Sequence, residues 1–253
     1  MVELLFWPVL VGYGEAAVAY ASPRGDRLAT WGVRIGWLAQ TALLSIQAAH
    51  ADGFPWGTWA GSLNLFVWLV VGTYLIWGCR PRYRLLGLAV MPLAAVLFLV
   101  ARVGGGTNAG QKSHYGNLFL TLHVGCVLAA FAGFTLAAAL AGLYLIEERR
   151  LKRRAADILR LRMPPLATLD ALLRRTIAIA VPFLTVGLIV GIARLQSRGG
   201  GVDALMVATV LTWLLYTSFL VIRPTGRNAA RYALVGFALV ILVRVVLEGT
   251  HVS

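Results

Sequence analysis

Charge is scarce in this sequence, and negative charge is the scarcer kind. Only 13% of the 253 residues are charged, with 10 Asp and Glu against 23 Lys and Arg. Soluble domains carry about 25% charged residues, so water is not the main solvent of this chain. Cysteine is almost missing. Cys79 and Cys126 fall in different apolar segments, which excludes a CxxC pair and zinc spacing and leaves them as small apolar side chains. A Ser/His/Asp arrangement is absent, as are paired carboxylates on one helix face. The glycine runs Gly104–Gly106 and Gly199–Gly201 lack the Lys and Ser/Thr of a phosphate loop and read as loops. Catalytic turnover is therefore not expected. The opening "MVELLFWPVLVGYGEAAVAYA" has no basic leader and no small-residue cleavage site, so it reads as a retained first helix.

What the chain has instead is apolar length. Hydrophobic residues make up 59% of it, and several runs reach the ~20 residues needed to cross a hydrocarbon core of about 30 Å. The expected fold is an all-α polytopic membrane protein with eight spans, at about 3–21, 29–50, 59–79, 85–102, 116–146, 175–195, 203–222 and 230–249. A single transmembrane helical domain over 1–253 is expected. The fifth span is too long for one perpendicular crossing. Its charged continuation "LIEERRLKRRAADILRLR" reads as a basic cytoplasmic helical extension at about 147–170, stopped by Pro164 and Pro165.

The net charge of +13 has the same origin. Basic residues collect in cytoplasmic loops, here in "CRPRYR" and "RRLKRR", whereas the opposite side holds only Arg102, Lys112, Arg194 and Arg198. That bias places both termini outside a bacterial-type plasma or inner membrane. It makes anionic lipids the natural partner of the excess charge and leaves no role for nucleic acid.

All four histidines then fall on or near the outer face: His50 ends span 2, His114 precedes span 5, His123 lies about two turns inside span 5, and His251 follows span 8. Neutral imidazole is the commonest nitrogen ligand of metals and haem iron. His123, inside "LFLTLHVGCVLAAF", is either such a ligand or a packing residue hydrogen-bonded to a neighbouring helix. His50 and His251 are interfacial side chains or ligands, and His114, in a glycine-rich loop, reads as solvated. Arg194 and Arg198 are either snorkelling cations or a fork for an anion such as a haem propionate. Glu15, Arg34 and Arg244, within spans, are candidates to pair with one another or to line a polar cavity.

Four stretches, in order, carry a resemblance. "LDALLRRTIAIAVPFLTVGLIVGIA" (Leu169–Ala193) resembles the "YRTI…GFPLLT.GI..G" pattern of the cytochrome c assembly membrane proteins, the CcsA/ResC/CcmC superfamily with its HemX-type relatives. Arg175, Thr176, Ile177, Pro182, Leu184, Thr185, Gly187 and Gly191 match it. "GFPWGTWAGSLNLFVWL" is similar to the family's early outer stretch, keeping Gly53, Pro55, Ser62, Leu63 and Trp68, with Gly61 in place of an acidic residue. The helix opening at His123 and the closing "LEGTHVS" match two further motifs.

The resemblance implies a haem-binding or haem-handling role in cytochrome c biogenesis with a b-type haem. His123 and His251 would be axial ligands and His50 a looser match, with Arg194 and Arg198 near propionates. Implied partners are a second membrane assembly subunit with an outer domain and an apocytochrome c.

The chain also departs from the pattern. In place of the family's Trp-rich outer haem motif stands "RLQSRGGGVDALMVATVLTWLLY", where only Asp203, Thr212 and Trp213 resemble remnants. Leu173 and Arg174 occupy the position of a family histidine. Both departures resemble the HemX-like branch and keep open an alternative: a regulatory or structural subunit that binds a partner protein without haem, docking through Glu147–Arg162. A small-molecule transporter would call for inverted repeats or paired broken helices, and the sequence has neither.

Overall fold

The computed structural model describes residues 2–22, 25–51, 56–77, 84–108, 118–152, 165–198 and 204–249. Among these residues the chain is wholly helical: α1 (Val2–Ala21), α2 (Asp26–Ala49), α3 (Trp59–Trp77), α4 (Arg84–Val103), α5 (Leu118–Lys152), α6 (Leu166–Arg198), α7 (Ala204–Ile222) and α8 (Gly226–Gly249). Each coincides with one apolar run of the sequence. Among the described residues, α1, α3, α4, α5 and α6 are long and apolar enough to cross a membrane, while α7 carries a shorter apolar stretch, Met206–Ile222. The protein is a helical membrane protein.

One boundary differs from expectation. The sixth helix begins at Leu166, not near residue 175, because Asp170 and Arg174 form an i,i+4 ion pair (3.2 Å) that keeps the charged turns helical. The Pro165 carbonyl receives the amides of Thr168 and Leu169. Residues 166–170 thus belong to α6. The fifth helix carries the expected charged continuation through Glu147, Glu148, Arg149 and Arg150 to Lys152, and residues 153–164 lie outside the described residues.

The chain forms two compact units, Met1–Thr121 and Leu122–Ser253. In the first, glycines bring α1 and α2 into backbone contact. A Cβ on Gly12 would lie 2.7 Å from the Gly32 carbonyl oxygen, and one on Gly36 2.8 Å from the Tyr13 ring, so close approach here demands residues without side chains. Phe6 stacks on Phe98 (5.6 Å between centroids) to join α1 to α4, and the Tyr20 and Tyr74 hydroxyls meet at 2.9 Å to join α1 to α3.

Inside this apolar frame runs a chain of buried polar groups. The Tyr13 hydroxyl donates to Gln40 Oε1 (2.6 Å), and Gln40 Nε2 donates to Asn64 Oδ1 (2.8 Å). Asn64 Nδ2 reaches Gln47 Oε1 (3.3 Å) and the Gly106 carbonyl (3.2 Å). Gln47 Nε2 donates to the carbonyls of Gly106 (2.9 Å) and Asn108 (3.0 Å), and Trp56 Nε1 donates to Gln47 Oε1 (3.2 Å). Buried amides without such partners would each cost roughly 1–3 kcal/mol.

Glu15 and Arg34 do not follow expectation. Both are exposed on the outside of the first unit, and among the described residues they form no ion pair with each other. Arg34 instead lies over the Trp31 ring, 5.5 Å from its centroid. The Arg244 side chain lies outside the described residues.

In the second unit, Phe134 of α5 stacks on Tyr216 of α7 at 3.7 Å, with both rings fully buried. Trp213 Nε1 donates to Thr185 Oγ1 (2.9 Å), tying α7 to α6, and the Ser218 and Tyr232 hydroxyls tie α7 to α8. At the end where α7 turns into α8, Gly226 adopts φ +59° and its amide donates to Asp170 Oδ1 (3.0 Å). Arg174 donates to the Pro224 carbonyl (2.7 Å). A carboxylate thus sits at the N-terminus of α8, where the helix dipole favours it.

Candidate functional site

His123 lies in the second turn of α5, five residues after Leu118, in a helix whose neighbouring positions are Leu122, Val124 and Val127. Its ring is partly buried, and Nδ1 lies 2.6 Å from the backbone carbonyl oxygen of Gly187 on α6. A carbonyl only accepts, so Nδ1 carries the hydrogen and donates it. In the neutral ring Nε2 then keeps its lone pair, the form in which an imidazole can ligate a metal, and the Gly187 carbonyl sets both tautomer and ring orientation.

Two glycines one helical turn apart on α6 let α5 approach closely, and one of them makes room for this ring. A Cβ on Gly191 would stand 2.7 Å from His123 Cε1 and 3.0 Å from Nδ1, and a Cβ on Gly187 would stand 2.8 Å from Val127 Cγ2. These distances leave no room for a side chain. The glycines that matched the family pattern thereby acquire a physical role: Gly191 forms the notch in which the histidine ring lies, and Gly187 makes room for Val127. Farther along α5 the same small-residue contact continues, with Gly133 against Ala180.

The other expected site residues are placed as follows. His50 follows α2 as its cap residue, is exposed, and has Nδ1 2.9 Å from the carbonyl of Ile46 one turn back in its own helix. It too is a Nδ1–H donor with a free Nε2, but it belongs to the first unit and His123 to the second. Arg194 and Arg198 lie in the last turns of α6 beyond Gly191, with side chains outside the described residues. His251 and His114 lie outside the described residues altogether. Cys126 is a free thiol of intermediate burial, and Cys79 is not described. Among the described residues no three of His, Cys, Asp and Glu gather as a metal-binding cluster. His123 is the described histidine that is partly buried and bonded across a helix contact.

Sequence reasoning missed the amide chain of Gln40, Gln47 and Asn64. Its signal was present: three neutral amides in the middle of apolar helices, two of them seven residues apart on α2 and so on one face. The histidine end of α2 is joined to this chain through Trp56, which donates to Gln47.

Known proteins give these observations a frame. The cytochrome c assembly protein family model matches residues 56–251, which covers α3 through α8 and the notch that holds His123. A cytochrome c biogenesis protein CcsA from Microcystis aeruginosa is 25% identical over 292 aligned residues, covering 94% of this chain and 89% of the relative. A HemX protein from Brevibacillus brevis is 27% identical over 169 residues, covering 66% of this chain and 62% of the relative. The matched region holds more than half of the chain and includes the glycine notch, the α5 histidine and the closing motif, and so the chain belongs to the cytochrome c assembly protein family.

Proposed function

We propose that this protein handles haem in cytochrome c biogenesis, binding it at the outer side of a bacterial-type plasma membrane with both termini outside. His123 and His251 are the axial ligands, with Arg194 and Arg198 at the propionates. The observation that carries this reading is the 2.6 Å bond from His123 Nδ1–H to the Gly187 carbonyl, which leaves Nε2 available as the ligating nitrogen. The residues present fit a b-type haem at this position: a partly buried imidazole held by a backbone carbonyl in an apolar helix, with two arginines in the last turns of α6. Haem, when bound, supplies the redox-active iron. The chain's own part is to hold the imidazole proton on Nδ1, to keep the ring in place against Gly191, and to offer guanidinium forks for carboxylates. Catalytic turnover is not part of this role. A second membrane subunit with an outer domain and an apocytochrome c are its partners, and anionic lipids surround its basic cytoplasmic loops.

The test is the visible spectrum of detergent-purified protein, oxidised and reduced, beside His123→Ala and His251→Ala. Split reduced α and β bands that vanish in either variant are the expected result. A colourless wild type that stays colourless after haem addition overturns it. A second reading would then hold, that of a HemX-type subunit that binds a partner protein without haem. It draws support from the missing Trp-rich segment and from the HemX relative.

A further inference from the structure

The first unit presents two ionisable residues that form no ion pair among the described residues. Glu15 is exposed on α1 and Arg34 is exposed on α2. Their depths agree. At ~1.5 Å per residue, Glu15 stands about 9 Å before the end of α1 at Ala21, and Arg34 about 12 Å after the start of α2 at Asp26. The two helices are held side by side at that level by the backbone contact of Gly12 with Gly32 and Gly36. One surface therefore carries an anion and a cation at one membrane depth, on adjacent helices.

Around these two charges the surface is apolar and regular. On α1 the exposed Leu4 (74%), Trp7 (63%), Val11 (57%) and Val18 (73%) recur every three or four residues or at twice that spacing, so they share one helix face, with Glu15 in the gap of that row. Trp31, Ile35 and Leu38 of α2 are exposed at the same spacing, beside Arg34. Lipid tails would accept the apolar residues. They do not accept a carboxylate, which in a membrane span is costly unless something polar meets it. Glu15 borders a shallow depression between α1 and the start of α2, with Gly14 and Ser22 at its edge, which leaves room for a side chain from outside.

We propose that this face is covered by a second copy of the chain, related by a two-fold axis along the membrane normal, so that Glu15 of each copy meets Arg34 of the other. The choice of a second copy follows from charge complementarity. A surface that carries both signs at one depth is self-complementary, and a two-fold axis pairs both charges with no third chain. The dimer holds the contact twice. The glycine packing of α1 on α2 keeps the two charges in one rigid frame, and the proposal does not depend on haem.

The test is the oligomeric state of the full-length chain in lipid bilayers, measured by single-molecule photobleaching across a range of protein-to-lipid ratios. The wild type is expected to dimerise. Glu15→Gln and Arg34→Gln should each weaken the dimer by about tenfold or more, since each change removes two contacts at once. Glu15→Arg and Arg34→Glu alone should be monomeric, and the double swap should restore the dimer, which also shows that the single variants failed in association and not in folding. A monomeric wild type at high protein-to-lipid ratio overturns the proposal and points to a partner chain of other sequence. Dimers unaffected by all four single changes overturn the pairing.

Discussion

The notch under His123 gives the sharpest quantitative prediction. Gly191→Ala adds one methyl group, which the structure places 2.7 Å from Cε1 and 3.0 Å from Nδ1 of the imidazole. Ordinary carbon contacts begin at about 3.5 Å, so the ring must retreat by roughly 0.8 Å. The Nδ1–H to Gly187 bond starts at 2.6 Å, and a retreat of that size carries it past the ~3.2 Å limit of a good hydrogen bond. Losing that bond and straining the helix contact should lower stability by about 1–3 kcal/mol. On the proposed haem role, freeing the tautomer should weaken haem binding by about 10–100-fold, the usual cost of losing the group that orients a ligating histidine. Haem titration followed at the Soret band reads the affinity, and nitrogen NMR of labelled histidine reads the tautomer. Gly187→Ala serves as the comparison, because its methyl meets the Val127 side chain and not the ring. It should cost stability while leaving the Nδ1–H form in place. Wild-type haem affinity together with an unchanged His123 tautomer in Gly191→Ala would refute the notch as the device that positions the ring.

Four further outcomes follow from the same packing. Gln47→Leu removes the donor to the Gly106 and Asn108 carbonyls and the acceptor of the Asn64 amide, and should cost about 2 kcal/mol, seen as a lower thermal midpoint in detergent. Gly226→Ala forces a side chain into a φ of +59° and toward the Tyr144 hydroxyl at 3.0 Å, at about 1–2 kcal/mol. Asp170→Asn removes both the Arg174 ion pair and the anionic cap of α8, at about 1 kcal/mol, and the loss should shrink in high salt. Glu147 is buried at 6% exposure with Oε2 unpartnered, so Glu147→Gln should leave stability unchanged or raise it by about 1 kcal/mol. A clear loss in the same melt would mean that the carboxylate is held by a cation.

The helices were legible because a membrane span is written locally. About twenty apolar residues bounded by basic loops identify α1, α3, α4 and α5 without knowledge of their neighbours. The start of α6 was not, because Asp170 and Arg174 look like loop residues until their i,i+4 pairing is seen. The depth of His123 could be read from its span, but not its partner. The Gly187 carbonyl is 64 residues away, and no periodicity encodes which carbonyl faces a ring across a helix crossing. Gly187 and Gly191 stood out only through the family pattern, and their reason is steric. Attention to ionisable residues passed over Gln40, Gln47 and Asn64, which are neutral yet carry the most connected polar network described in the first unit. The same attention offered Glu15, Arg34 and Arg244 as partners of one another or as the lining of a polar cavity, whereas the packing of α1 on α2 leaves Glu15 and Arg34 exposed.

That network also bears on how the protein is made. The second helix, with Arg27, Arg34, Gln40 and Gln47, is not among the described helices apolar enough to cross a bilayer by themselves. Its amides find partners on α1, on α3 and in the turn that follows α4. When a nascent chain ends after α2, Gln40 has its Tyr13 partner on α1, but Gln40 Nε2 and the Gln47 amide still lack the groups on α3 and in the turn after α4 that meet them. The polar atoms of α2 are thus satisfied in full only by residues translated after it. Of the first four helices, α2 is the one whose place in lipid depends on its neighbours, while α1, α3 and α4 carry their own apolar length.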